Sequence, residues 1–244
     1  MLWALLFSLL LNNDTSIILS NFDKGVKKHI VDDNRRSEIL DLRKDSEKQH
    51  KAYMKERRKR LKAFDKLNKS RTSTYEEFNT LLQKNTAERK EFQKIEAERF
   101  MTINSIATSE EWQLLFSEFE EVEKNQLKTK KKTLKIVKKH FTTSINKVNK
   151  KIEDKEKREI IHHEINLLSE LSLNYVHVYH KGIDKMIELI PSDNLSEASL
   201  LNILQEVNQA EDSAFSKAID SHFIIREQTT KNEWKKLMKE IIKL

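Results

Sequence analysis

The sequence predicts an all-α protein: two tandem long helical hairpins, coiled-coil-like in charge pattern, forming an extended helical bundle. Three observations lead there. In 244 residues there are two glycines, Gly25 and Gly182, and one proline, Pro191. Gly costs about 1 kcal/mol and Pro about 3 kcal/mol inside a helix, and strands need the turns those residues supply. Apolar residues recur at helical spacings and nowhere alternate at length as a strand requires. The chain also matches itself at a shift of 122 residues, half its length.

Residues 2–11, LWALLFSLLL, open the chain as an uncharged apolar run closed by Asn12, Asn13 and Asp14. The run is too short to span a bilayer, which takes about 20 apolar residues, but it has the length of the apolar core of a secretory signal. No Lys or Arg precedes it and no small-residue cleavage site follows. A targeting or anchoring segment and an ordinary packed helix stay open as its two readings.

A first long helix is expected from about residue 15 to 69, with Val26, Ile30, Ile39, Leu42, Tyr53, Leu61, Phe64 and Leu67 on its apolar stripe. Ser70 to Ser73 interrupts it. Ser73 with Glu76, or Thr74 with Glu77, has the spacing of a capping box that starts a second helix over 74–106. Thr108, followed by Ser109, Glu110, Glu111 and Trp112, is another start signal: a hydroxyl cap, acids in the first turn, then an aromatic. No Gly or Pro follows until Gly182. The spacing of Leu127, Leu134, Phe141 and Val148 therefore predicts one unbroken helix from 109 to 190, about 120 Å long. Pro191 to Asn194 ends it. Further helices are expected from Ser196 to about 228 and from Thr230 onward.

At the 122-residue shift, Val26, Ile30, Arg36 and Ile39 fall on Val148, Ile152, Arg158 and Ile161. Tyr53 falls on Tyr175, Ser70 on Ser192, Phe78 on Leu200, and Thr108, Glu111 and Trp112 fall on Thr230, Glu233 and Trp234. Breaks, caps and core positions coincide together, which shared helical periodicity alone does not require. The expected division is an N-terminal segment 1–22, a first repeat 23–122 and a second repeat 123–244. The residue before the first cap is apolar, whereas Gln228 and Thr229 precede Thr230. Trp112 is accordingly expected to be well buried and Trp234 less so.

Charged residues make up 35% of the chain and hydrophobic ones 37%, a lean apolar content that suits long helices with one narrow stripe. The net charge of +7 comes from interspersed signs. Basic runs occur at Lys55 to Arg60 (KERRKR) and Lys128 to Lys139, and a solvated helix face is the expected role of both. Sequence-specific nucleic-acid recognition is not expected, because no groove-reading motif is present. Cysteine is absent, which removes disulfides and thiolate chemistry.

Glu159-Ile160-Ile161-His162 has the E-x-x-H spacing of di-iron bundles, but that site needs a second such motif and two more carboxylates on facing helices, and the position matched by the repeat, Ser37 to Leu40, lacks both ligands. His162, His163, His177, His180 and His222 are weak metal-ligand candidates: His177 and His180 share a helix face, and His222 lies on the hairpin partner of theirs. Satisfied or solvent-facing histidines are the expected outcome, with no cofactor and no catalytic residue. P-loops, nucleophile elbows and HExxH are missing, and two glycines cannot build a phosphate cradle.

The Thr-x-x-Glu-Trp starts at Thr108 and Thr230 are faintly similar to the Leu-Thr-x-x-Gln repeats of small periplasmic helical-hairpin chaperones, departing from them at Ala107 and Thr229 and at the Gln position. That resemblance implies a periplasmic helical-hairpin chaperone as one alternative; a metal-binding helical protein is another. The leading expectation is a non-enzymatic helical scaffold or interaction protein, exported or membrane-associated, with protein partners and a membrane surface met through residues 2–11. A cytoplasmic location stays open.

Overall fold

A computed structural model describes residues 22–116 and 120–241. The described residues form eight α-helices and no strand. They are α1 (Phe22–His29), α2 (Asp33–Lys69), α3 (Tyr75–Ile106), α4 (Ser109–Phe116), α5 (Glu120–Lys151), α6 (Lys155–Leu189), α7 (Glu197–Gln228) and α8 (Lys231–Ile241). The apolar run 2–11 lies outside them.

Helices α2 and α3 form one hairpin, and α6 and α7 form another. The hairpins meet along α3 and α7, α5 lies along α6, α1 packs on α2 and α4, and α8 packs on α5. At 37 residues, α2 is roughly 55 Å long. A continuous apolar core runs through this arrangement, with Phe64, Phe78 and Phe215 fully buried at the hairpin junction. The Phe64 ring stands 6.1 Å from Phe78 and 5.7 Å from Phe215, centroid to centroid. Gly182 allows α6 and α7 to close on each other, since a Cβ there would come within 2.9 Å of Val207 Cγ2.

The two halves repeat in detail. Helices α3 and α7 start and end 122 residues apart, and α2 and α6, like α4 and α8, start 122 apart. The caps repeat as well. Thr74 closes a capping box with Glu77, and Ser196 closes one with Ser199 at the matching positions. Thr108 accepts from Glu111 N at 3.2 Å while Glu111 accepts from Thr108 N, and Thr230 and Glu233 do the same. The boundary expected between 122 and 123 falls inside α5.

Two expected long helices are broken. The helix expected over 15–69 is interrupted at Ile30–Asp32, and the one expected over 109–190 at Ile152–Asp154. Neither break uses Gly or Pro. Asp32 and Asp154 cap new helices instead, accepting from Arg35 N at 2.8 Å and Lys157 N at 3.0 Å. Arg36 and Arg158 then reach back to the Ile30 and Ile152 carbonyls at 3.0 and 3.3 Å. An Asp side chain offers the backbone a non-helical hydrogen bond, and the arginine satisfies a carbonyl that the break leaves open.

The expected difference between the tryptophans is also overturned. Trp112 is 5% exposed and Trp234 is 4% exposed. What precedes the cap is not what buries them. Trp112 Nε1 donates to the Ile190 carbonyl at 2.8 Å, and Trp234 Nε1 donates to the Lys69 carbonyl at 3.1 Å. Each short helix is thereby fastened to the end of the opposite hairpin's long helix. Phe100 meets Trp112 edge-on and His222, at the matching position, meets Trp234 the same way. Trp112→Ala and Trp234→Ala are each expected to cost about 3–5 kcal/mol. Urea melts of the two variants should coincide within about 1 kcal/mol; a much milder Trp234→Ala would show that α8 docks weakly.

Candidate functional site

A half-open cleft of about 250 Å³ lies where the hairpins meet, lined from α2, α3, α6 and α7. Its position follows from the sequence of α2. Tyr53, Arg57, Arg60 and Phe64 recur at helical spacing, so the two arginines share the face of the aromatics. Both arginines are buried, while Lys55, Arg58 and Lys59 in the same run are exposed. This corrects the expected solvated face for the first basic run: two of its three arginines, Arg57 and Arg60, are buried. The second run fits that expectation better, with Lys131, Lys132, Lys135, Lys138 and Lys139 exposed on α5.

The polar floor of the cleft is a buried charge network. Arg57 Nη2 and Arg89 Nη1 both reach Glu211 Oε1, at 3.1 and 2.9 Å. Arg89 Nη2 also meets Asp212 at 2.8 Å, and Thr86 donates to the same oxygen at 2.9 Å. Beside it, Arg60 pairs with Glu88 and reaches Asn85 Oδ1 at 3.4 Å. Burial is the largest single influence on Arg57 and works against its charge, but the Glu211 carboxylate, Tyr53 and Tyr175 together outweigh it and raise its pKa. Arg89 is raised in the same way by Glu211 and Asp212 against its own desolvation. Both guanidiniums stay charged, as arginines do in proteins.

The walls are apolar and aromatic. Tyr53 stacks on Phe92 with ring centroids 4.2 Å apart and planes 2° from parallel. Met54, Phe100, Tyr175, Tyr179, Met186, Leu200 and Leu204 complete them. Burial raises the Tyr175 phenol well above its ordinary pKa, so it stays protonated. Gln93 and Asn208 exchange amide hydrogen bonds of 2.6 and 3.1 Å across α3 and α7.

The histidines named from sequence are dispersed among these elements. His163 and His177 are exposed, His162 is half-buried, and His180 and His222 are buried. Among the described residues no group of three or more His, Cys, Asp or Glu could hold a metal ion. His222 is engaged on both ring nitrogens, Nδ1 with Asn68 Oδ1 at 2.9 Å and Nε2 with Ser73 Oγ at 3.2 Å. Burial, then the nearby Arg226, pushes His222 down to about 4. Burial, then Lys130, pushes His180 down to about 4 as well. Glu159, the carboxylate of the E-x-x-H spacing, is exposed and lies 3.8 Å from Lys155.

Among the described residues, no helix is long and apolar enough to cross a membrane. Compared with protein-family models, with curated proteins and with solved structures, the chain finds no match.

Glu211 is the single anion shared by two buried guanidiniums, so Glu211→Gln should destabilise the fold by roughly 3–5 kcal/mol, the cost of leaving buried charges unpaired. Denaturant unfolding measures it, and a loss below about 1 kcal/mol would contradict the assignment. His222 gives a pH signature. Its folded pKa lies below the unfolded value, so between about 6.5 and 4 the unfolded chain binds more protons and stability falls as pH falls. The slope should approach about 1.4 kcal/mol per pH unit for this group. In His222→Phe, urea midpoints compared at pH 7.5 and 4.5 should show a smaller acid loss than in the wild type.

Proposed function

We propose that this protein is a non-enzymatic helical interaction protein whose working surface is the cleft between its hairpins. The observation that carries the reading is the cleft itself: a preformed, half-open cavity of about 250 Å³ with aromatic and aliphatic walls and a small set of fixed polar groups. That is the composition of a recognition site. A binding role is favoured over a catalytic one by the state of its charged groups. Glu211 is held between two guanidiniums, Tyr175 is kept protonated, neither His180 nor His222 lines the cleft, and His50, which does, packs its ring 5.9 Å from Phe92.

The exposed lysines of α5 favour a second contact surface for an acidic protein partner, with Ile136 exposed among them. Residues 2–11 would place such an assembly at a membrane surface or outside the cytoplasm.

The cleft reading is tested with a small neutral amphiphile, 1-octanol, titrated by calorimetry into the full chain. Saturable one-to-one binding is expected, and Leu204→Trp, which fills the cleft, should abolish it while leaving helical circular dichroism intact. Absence of saturable binding, or unchanged binding by a folded Leu204→Trp, would overturn it.

A further inference from the structure

We propose that the cleft is the seat of the chain's own N-terminal segment, residues 8–19, which lies antiparallel along α2 and competes with any ligand for the site. This rests on the cleft being the working surface and adds what regulates it.

In the second half the matching seat is filled. Helix α5 lies along α6. Its Ser144 and Val148 share a small void with Ile161, Ile165 and Leu168 of α6, and Lys130, toward its other end, lies near enough to His180 to act on its charge. The two helices are therefore antiparallel, with 130–148 of α5 alongside Ile161 to His180 of α6. Shifted back by the repeat spacing, that stretch of α5 becomes residues 8–26 and its seat becomes Ile39 to Arg58 of α2. The α2 lining of the cleft, from Arg43 to Arg57, falls within this seat.

The first half keeps the same register where it is described. Arg43 Nε lies 3.7 Å from Asp23 Oδ1, a pairing that this register requires. Helix α1 packs on α4 as α5 packs on α8. A Cβ on Gly25 would come within 3.3 Å of Leu115, and the matching residues, Lys147 and Leu237, both line the small void. Phe22 and Val26 are buried, as are their counterparts Ser144 and Val148. Helix α1 thus corresponds to the end of α5. The residues that would continue it over the cleft lie outside the described ones.

The segment has the composition that such a seat takes. The buried positions of α5 ahead of Ser144 are Thr133, Val137, His140 and Phe141. Their counterparts are Leu11, Thr15, Ile18 and Leu19. The exposed Lys132 and Lys139 have Leu10 and Ile17 as counterparts, which sets an outward pair of the same chemistry against the inward Leu11 and Ile18. The walls of the cleft are aromatic and aliphatic, and its arginines, Arg43, Arg57 and Arg89, are balanced by Glu47, Glu96 and Glu211. An apolar occupant therefore leaves no buried charge unpaired. Being tethered, it acts at high effective concentration, and a ligand binds only the fraction of molecules whose seat is open. Membrane contact through residues 2–11 would draw the segment off α2 and open the cleft.

The test sets Leu11→Lys with Ile18→Lys against Leu10→Lys with Ile17→Lys in the full chain, reading 1-octanol affinity by calorimetry. The two variants carry the same added charge, so a targeting role for the segment treats them alike, whereas seating separates them. The inward pair should tighten 1-octanol about tenfold over the wild type, and the outward pair should leave it unchanged. Equal effects would overturn the seating while the cleft reading stands. A second measurement depends neither on 1-octanol nor on the lysine variants. In this cysteine-free chain, Ser16→Cys with Glu47→Cys places two thiols on neighbouring helices, whose axes pack ~8–10 Å apart, and a short bismaleimide should join them within one molecule. Ser16→Cys with Lys62→Cys, about 18 Å beyond the place of Ser16 along α2, should stay unjoined. Equal joining of both pairs, or of neither, would overturn the seating. If the wild type and both lysine variants fail to bind 1-octanol, the cleft reading falls and the competition with it, while the cross-link still decides the seat.

Discussion

The fold depends on closing helix ends across the junction of the two hairpins. A long helix leaves its last carbonyls without partners. In this chain each long helix ends against the other half's tryptophan: the Lys69 carbonyl accepts from Trp234 and the Ile190 carbonyl from Trp112. The indoles supply large apolar area and one N–H each. They couple four segments that are distant in the chain, and their reciprocity relates the hairpins by an approximate two-fold. With α4 and α8 fastened in this way, α3 and α7 are held side by side, and the cleft lies between them and their hairpin partners α2 and α6.

Much of this was legible in the sequence because it is local. Scarce Gly and Pro, the hydroxyl caps at Thr74, Ser196, Thr108 and Thr230, and the turn at Pro191 each act over a few residues. The missed breaks at Ile30–Asp32 and Ile152–Asp154 are local too, but they carry no breaker residue. Asp32 and Asp154 lie in charged stretches where an aspartate reads as surface. Their recurrence at the repeat spacing was the available signal, since the paired Arg36 and Arg158 had already aligned.

The cleft was not legible, because its parts come from four helices and its polarity is disguised. Arg57 and Arg60 belong to a run of six residues, five of them basic, that resembles a solvated face. The spacing to Tyr53 and Phe64 marks them as inward, but nothing in α2 reveals that Glu211 waits 154 residues away. The inward arginines make sense only once α7 is in place. The same holds for His222, whose Asn68 and Ser73 partners lie in the other half. Metal-ligand spacing on one helix says little about which neighbours a ring nitrogen will meet.

Arg89 and Glu211 occupy equivalent positions of the two repeats and touch each other at 2.9 Å. A contact between equivalent positions lies near the axis that relates the halves, where two identical copies would present the same side chain twice. Two first halves would oppose arginine to arginine, and two second halves would oppose glutamate to glutamate. The opposite charges therefore encode heterodimer-like pairing inside one polypeptide. With such a pair in place, each half meets a complementary charge at this position only in the other. The same divergence lets one wall of the cleft differ from the other, since Arg89 lies on α3 and Glu211 on α7.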